Sequence, residues 1–411
     1  ANVKDMIATV NVAQLANTAD DGYFFMTNAP LYTTPGGTTD PTGGNVMTLT
    51  EIDPNNIFTT EEEAEANPAA SIYVERAVAK VSVVEGENLA TAGGLATEIA
   101  GWALDMTNTK TYIVRNVDGA NWWGYASTLS PTADRYRFVG SNPVATNLYR
   151  TYWGIDPNYD GNGYTLPGEF NNAIGGIPAT LNAAGAADYC LENTFNVANQ
   201  NQNQTTRVIV AADLNVIGEG VDFYIINNLK DNILNKEGLD KAIKAAYLQN
   251  ATVVAALKDP TSGLDDPNTG LGEDDLTVSY SSTEGCYIDV AEVTIKDASV
   301  SKFKGGVVPA ILTANGNDDI IDEINADNSI AYYKGGRSYY PIMIKHFGDD
   351  STPWTAGGES SYPEPNAEQN WLGRWGVLRN NWYEISVNSI TDIGYPEVPE
   401  VYGTPDDPVE S

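Results

Sequence analysis

The chain is poor in the residues that carry most enzyme chemistry. Its 411 residues hold one histidine and two cysteines. A zinc site built from these types needs three or four ligands, and His346, Cys190 and Cys286 are all there is. They stand 96 and 60 residues apart with no C-x-x-C or H-E-x-x-H spacing. Any nucleophile–histidine device would have to use His346, which ends the alternating run Tyr340-Pro341-Ile342-Met343-Ile344-Lys345 and reads as a strand end. Basic residues are scarce too: 22 against 55 acidic ones, a formal charge of −33. Such a surface repels nucleic acid and anionic lipid. No apolar run approaches the roughly 18 residues of a membrane helix. Ala1 is not followed by a charged and then apolar leader, so the expectation is a cytosolic chain or a mature one whose leader has been removed. In an exported protein Cys190 and Cys286 could pair; two free, buried thiols are the alternative.

What is present is alternation. Asp5–Leu15, Gly22–Thr27, Ser71–Val84, Lys110–Val117, Arg135–Val139, Thr206–Leu214, Leu276–Tyr280, Tyr287–Ile295, Ser338–His346 and Trp382–Ile390 read as half-buried strands between loops rich in Gly, Asn, Asp and Pro. In the last, Tyr383, Ile385 and Val387 share one face. The fold class is mainly β, with β-sandwiches and few helices. Leu239, Ile243 and Ala246, with Leu248, predict a helix over Lys236–Gln249, and Asp222–Leu234 a preceding turn or helix. Thr59–Glu63 opens a short capped helix that Pro68 ends. The length suggests two domains. The Asn- and Gln-rich tract within Ala184–Thr206 reads as a linker with little to bury, which divides the chain into 1–185 and 186–411.

Few segments suggest a ligand. Asp156, Asn158 and Asp160 followed by Gly161 copy the start of a calcium loop, but Pro167 stands where the closing Glu belongs. A plain turn uses the same residues. Asp265-Asp266, Glu273–Asp275 and Asp318-Asp319 read as acidic loops facing water. Trp122, Trp123, Trp153, Trp354, Trp371 and Trp375 near Gly- and Asn-rich segments suit either a sugar-binding platform or loop packing. No catalytic constellation stands out, and no cofactor is expected beyond that calcium candidate.

Three stretches carry a resemblance: Tyr23–Ala29; Ile72–Val81, which contains Val74-Glu75-Arg76-Ala77-Val78-Ala79-Lys80-Val81; and Arg379-Asn380-Asn381-Trp382-Tyr383-Glu384-Ile385. Tyr189–Thr194 and Tyr339–His346 fit more loosely. In this order they resemble the fimbrillin family of Bacteroidales bacteria, and within it the shaft subunits of the short (minor) fimbriae of Porphyromonas. The resemblance implies two transthyretin-like Greek-key β-sandwich domains and no catalysis. It implies a lipidated precursor exported to the outer membrane and cut by an arginine-specific protease, with Ala1 as the new N-terminus. The cut would open an apolar groove that a strand from the next identical subunit fills. Tyr73, Val74, Arg76, Val78, Lys80 and Val81 would form the strand beside that groove. Arg76 and Lys80 on such a strand need partners or sit at its ends, and structural ion pairing is the expected explanation. Arg379, Trp382, Tyr383 and Ile385 would mark a late strand of the C-terminal domain. Accessory anchor and tip proteins, and receptors on host cells or other bacteria, are the further partners implied. The proline-rich end, with Pro396, Pro399, Pro405 and Pro408, makes a poor donor strand and reads as a truncated tail. The alternative is a surface glycan-binding adhesin module.

Overall fold

A computed structural model of the chain describes residues 5–17, 22–30, 52–87, 89, 97–117, 153–159, 165–266, 268, 270–281, 286–347 and 372–401. The strands of the first part are β1 (Ile7–Thr9), β2 (Ala16–Asn17), β3 (Tyr23–Phe24), β4 (Met26–Asn28), β5 (Val74–Arg76), β6 (Val78–Glu85), β7 (Thr97–Asp105) and β8 (Lys110–Tyr112). Then follow β9 (Ala187–Leu191), β10 (Arg207–Leu214), β11 (Phe223–Ile226), β12 (Leu276–Tyr280), β13 (Tyr287–Ile288), β14 (Val290–Ile295), β15 (Ile330–Tyr333), β16 (Arg337–Met343) and β17 (Trp382–Val387). The alternating segments are thus strands, most of them shorter than the patterns that announce them. Ser71–Val84 breaks at Ala77 into β5 and β6, and the 135–139 expectation lies outside the described residues.

Two three-stranded sheets make a sandwich. In one, β6 is central, with β9 antiparallel on one edge and β17 parallel on the other. In the other, β10 is central between β7 and β16, both antiparallel. Period-two alternation turns Ala79, Val81 and Val83 of β6 toward Val208, Val210, Ala212 and Leu214 of β10, and all are buried in one core. Tyr383, Ile385 and Val387 close that core from β17. Strand β7 carries a bulge at Ala100, so that Ile99 and Trp102 both face inward. Gly101 beside it has φ +150°, and a Cβ there would stand 2.8 Å from the Asn182 carbonyl, which explains the glycine.

The sheet β11–β15–β13 divides two cores. Phe223, Ile225, Ala331 and Tyr333 face the sandwich; Tyr224, Ile330 and Tyr332 face a second core. There the hairpin of β12 and β14 packs with helices Lys236–Gln249, Ala251–Leu257 and Asp318–Asp327. The stripe on the first helix is Leu239, Ile243 and Tyr247. These helices are core elements, not loop decorations. Asp318 and Asp319 are the first turn of a helix, where the dipole favours them, and Ile320, Ile321 and Ile324 are buried behind them. The stretch 222–234 is β11 followed by a turn in which Asn227 and Asn228 take positive φ, not a helix. The expected helix after Thr60 is Glu61–Ala66, with the Thr60 hydroxyl accepting from the Glu63 amide at 3.3 Å.

The linker reading of 184–206 is corrected. Part of it is β9, and Asn193, Asn196, Asn199, Gln202, Asn203 and Gln204 are buried. Their amides bond to one another and to the backbone, so a polar composition here fills an interior. Sheets also cross residue 185: β6 pairs with β17 and β7 with β10.

Candidate functional site

The segments that carry the family resemblance lie far apart in sequence and converge in space. β17 runs parallel to β6, with Trp382 opposite Lys80 and Ile385 opposite Val83. The turn before β17 fits this entry. Asn380 adopts φ +62°, which Asn tolerates, donates its amide to the Val78 carbonyl and accepts from the Arg76 amide at 3.3 Å. Lys80 in turn donates its amide to Asn381, whose side chain donates to the Leu378 and Arg379 carbonyls.

Beneath that turn lies a buried charge cluster. Arg115 contacts Glu75 at 3.1 Å and Glu192 at 3.6 Å; Arg379 lies 3.8 Å from Glu192 and donates to Thr111 and the Tyr112 carbonyl. All four ionic side chains are at most 5% exposed. Among the described residues two arginines face two carboxylates, a pairing that offsets the cost of burying each charge. The cluster joins the strand of Val74–Arg76, the segment after β9 and the segment before β17.

A hydrogen-bond network continues from it. Asn108 donates to Asp156 and to the Glu192 carbonyl; Asn193 donates to Asn108, Tyr159 and the Gln204 carbonyl. Asp156 accepts from the Asn158 amide and side chain, from Asn108 and from the Thr194 amide. Burial pushes its carboxyl up to about 7, outweighing those four donors. Asn158 Oδ1 accepts from the Thr109 and Lys110 amides. The oxygens of Asp156 and Asn158 that suggested calcium are therefore engaged by the chain's own N–H groups, and Asp160 lies outside the described residues. Calcium binding there remains a proposal that needs these bonds to be exchanged.

The other named residues fall as follows. Tyr73 and Val74 are exposed, whereas Val78 and Val81 are buried. Among the described residues Arg76 and Lys80 meet no carboxylate; the partners found for them are rings, Phe24 at 5.0 Å and Trp382 at 4.0 Å. Arg379 is buried and Trp382 exposed, as alternate faces of the segment require. Cys190 and Cys286 are free, the first buried in the sandwich core and the second half-buried beside β13. Of the two alternatives the structure holds the free thiols, with Cys286 less buried than expected. Burial raises both thiols, that of Cys286 to about 11. His346 lies with Nδ1 2.8 Å from the Tyr383 hydroxyl, packed against Trp153 and Phe347. Trp153 is no sugar platform: it is buried, edge-on to Phe195, and its indole donates to the Phe195 carbonyl. Ala1, Trp122, Trp123, Trp354 and Trp371 lie outside the described residues.

Residues 331–411 match the family model described as major fimbrial subunit protein type IV, fimbrillin, C-terminal. The match takes in β15 from Ala331 on, β16, β17 and the Arg379–Ile385 motif. It makes this part of the chain similar to the C-terminal part of fimbrial structural subunits. No curated protein matches the chain.

Proposed function

We propose that the protein is a structural subunit of a surface fimbrium, assembled head to tail with identical copies by donor-strand exchange. The observation that carries this reading is the match over 331–411, whose motif segment docks against the family-like strand of the first half. Its function is mechanical and calls for no catalysis.

The exposed apolar surface supports the assembly mode. β4 and β5 pair with each other, and among the described strands with no third. Around them Tyr23, Met26, Ile72, Tyr73 and Val74 face solvent, Ile72 at 56% and Val74 at 48% exposure. Open edges and exposed apolar side chains are both costly and both invite an added strand. Covering five such residues gains on the order of 25 cal/mol per Å² of apolar area buried, before ordering costs. A head-to-tail contact between unlike surfaces grows a filament wherever its rotation does not close a ring. In this scheme an arginine-specific protease removes a leading strand from a lipidated, exported precursor and frees the edge. Accessory anchor and tip proteins bound the filament, which supports attachment to host cells and other bacteria. Among the described residues no helix is long and apolar enough to cross a membrane. The scheme needs none in the polymer.

The test is assembly in vitro. A precursor extended at both ends is treated with an arginine-specific protease and run on a gel in detergent. Detergent-resistant ladders that depend on cleavage are expected. Monomer under all conditions contradicts strand exchange.

A further inference from the structure

The outer face of the β17–β6–β9 sheet carries three side chains in one row: Trp382, Lys80 and Tyr189, paired in register across the strands. Lys80 Nζ lies 4.0 Å from the Trp382 ring, and the indole donates to the Ser82 hydroxyl at 2.9 Å, which fixes the ring's orientation. On the same face, beyond buried Val78, Arg76 sits 5.0 Å from the Phe24 ring, and Phe24 packs on Tyr189 at 5.4 Å. These residues, with Asn380 and Asn381, line a surface pocket of about 310 Å³.

Its charge runs against the rest of the molecule. The chain carries −33, yet two of its 22 basic side chains meet in this one pocket. Among the described residues neither has a carboxylate partner. Glu75 is turned inside toward Arg115, and Glu384 lies one row away, opposite Ser82. Trp382 is 61% exposed, a large ring with no packing duty that would explain the exposure.

Flat aromatic faces beside two cations, in a volume near the lower end for small-ligand pockets, suit a sugar ring that carries a carboxylate. The apolar face of a pyranose lies on an aromatic ring, and the carboxylate takes charge-assisted hydrogen bonds from ammonium and guanidinium groups. An acidic peptide satisfies the cations less well here. β6 is already paired along both edges, so an extended chain lying on this face finds no backbone partners. We propose that this pocket binds an acidic sugar unit of a glycan, a hexuronic or sialic acid. Lys80 and Arg76 hold the carboxylate, and Trp382 and Tyr189 hold the ring.

The test uses the full chain as a monomer at low salt, about 50 mM, where charge is least screened. Glucuronic acid, N-acetylneuraminic acid, glucose, galactose and a triglutamate peptide are titrated while the Trp indole resonances are followed by NMR. The acidic sugars are expected to shift one indole signal, which Trp382→Phe identifies as that of Trp382. Lys80→Gln and Arg76→Gln should each weaken binding by about tenfold, the worth of one charge-assisted contact, with the melting temperature unchanged. The proposal is overturned if neutral sugars bind as well as acidic ones, or if both substitutions leave affinity unchanged. Binding of the peptide in preference to the sugars, or no sugar binding at about 10 mM, a free energy of under 3 kcal/mol, overturns it equally.

Discussion

Arg379 and Glu192 stand 187 positions apart and meet in the interior, where the Arg379 amide donates to Glu192 Oε2 at 3.2 Å and its guanidinium lies 3.8 Å from Oε1. Glu192 also faces Arg115, so one carboxylate serves two buried cations. This contact ties the segment before β17 to the segment after β9.

Glu192→Gln removes the charge and keeps the shape. Arg115 would keep Glu75, while Arg379 would lose the carboxylate that lies 3.8 Å from it. Breaking a buried pair in this way costs about 3–5 kcal/mol. Urea unfolding should show a loss of that order at unchanged slope. A loss under about 1 kcal/mol, the range of surface pairs, would show the cluster to be structurally idle.

Asp156 gives a pH dependence. Its carboxyl is raised from 3.8 to about 7 by burial, so between those values the folded chain keeps a proton that the unfolded chain has lost. The contribution is therefore complete below pH 3.8 and declines as pH rises through 7. The slope is at most about 1.4 kcal/mol per pH unit for one proton. Asp156→Asn should flatten the stability profile between about pH 4 and pH 7, measured by denaturant unfolding. If the variant keeps the slope of the parent, another group titrates there.

The cysteines can be counted directly. Both thiols are free, and Cys190 is fully buried. A thiol reagent should find two groups in denaturant and, in the native chain, react with Cys286 long before Cys190. A single band that shifts on reduction, with no reactive thiol in denaturant, would restore the disulfide.

The regular periods were legible from sequence alone. β12 coincides with the alternating stretch Leu276–Tyr280, and the helix Lys236–Gln249 with its apolar stripe. Tyr383, Ile385 and Val387 face the core as their spacing implies. What escaped depends on long-range pairing. The tract at 193–206 has the composition of a linker, and only the partners brought by 108, 156 and 159 make its burial affordable. Ion pairing was the natural expectation for Arg76 and Lys80. The Trp382 ring that Lys80 meets instead is there because β17 lies beside β6, a parallel register that neither strand announces. The three-helix core around Ile320 and Ile324 was obscured by the acids at the start of its last helix.

The central claim is that an open apolar edge at β4 and β5 receives a strand from the next subunit. Val74→Asp tests it most directly, because Val74 is exposed in the monomer and its loss touches no core. In the protease-treated, extended protein this substitution should abolish detergent-resistant ladders. The melting temperature of the monomer should stay within about 2 °C, since an exposed side chain contributes little to stability. Ladders of parental length from the Val74→Asp protein would contradict the account.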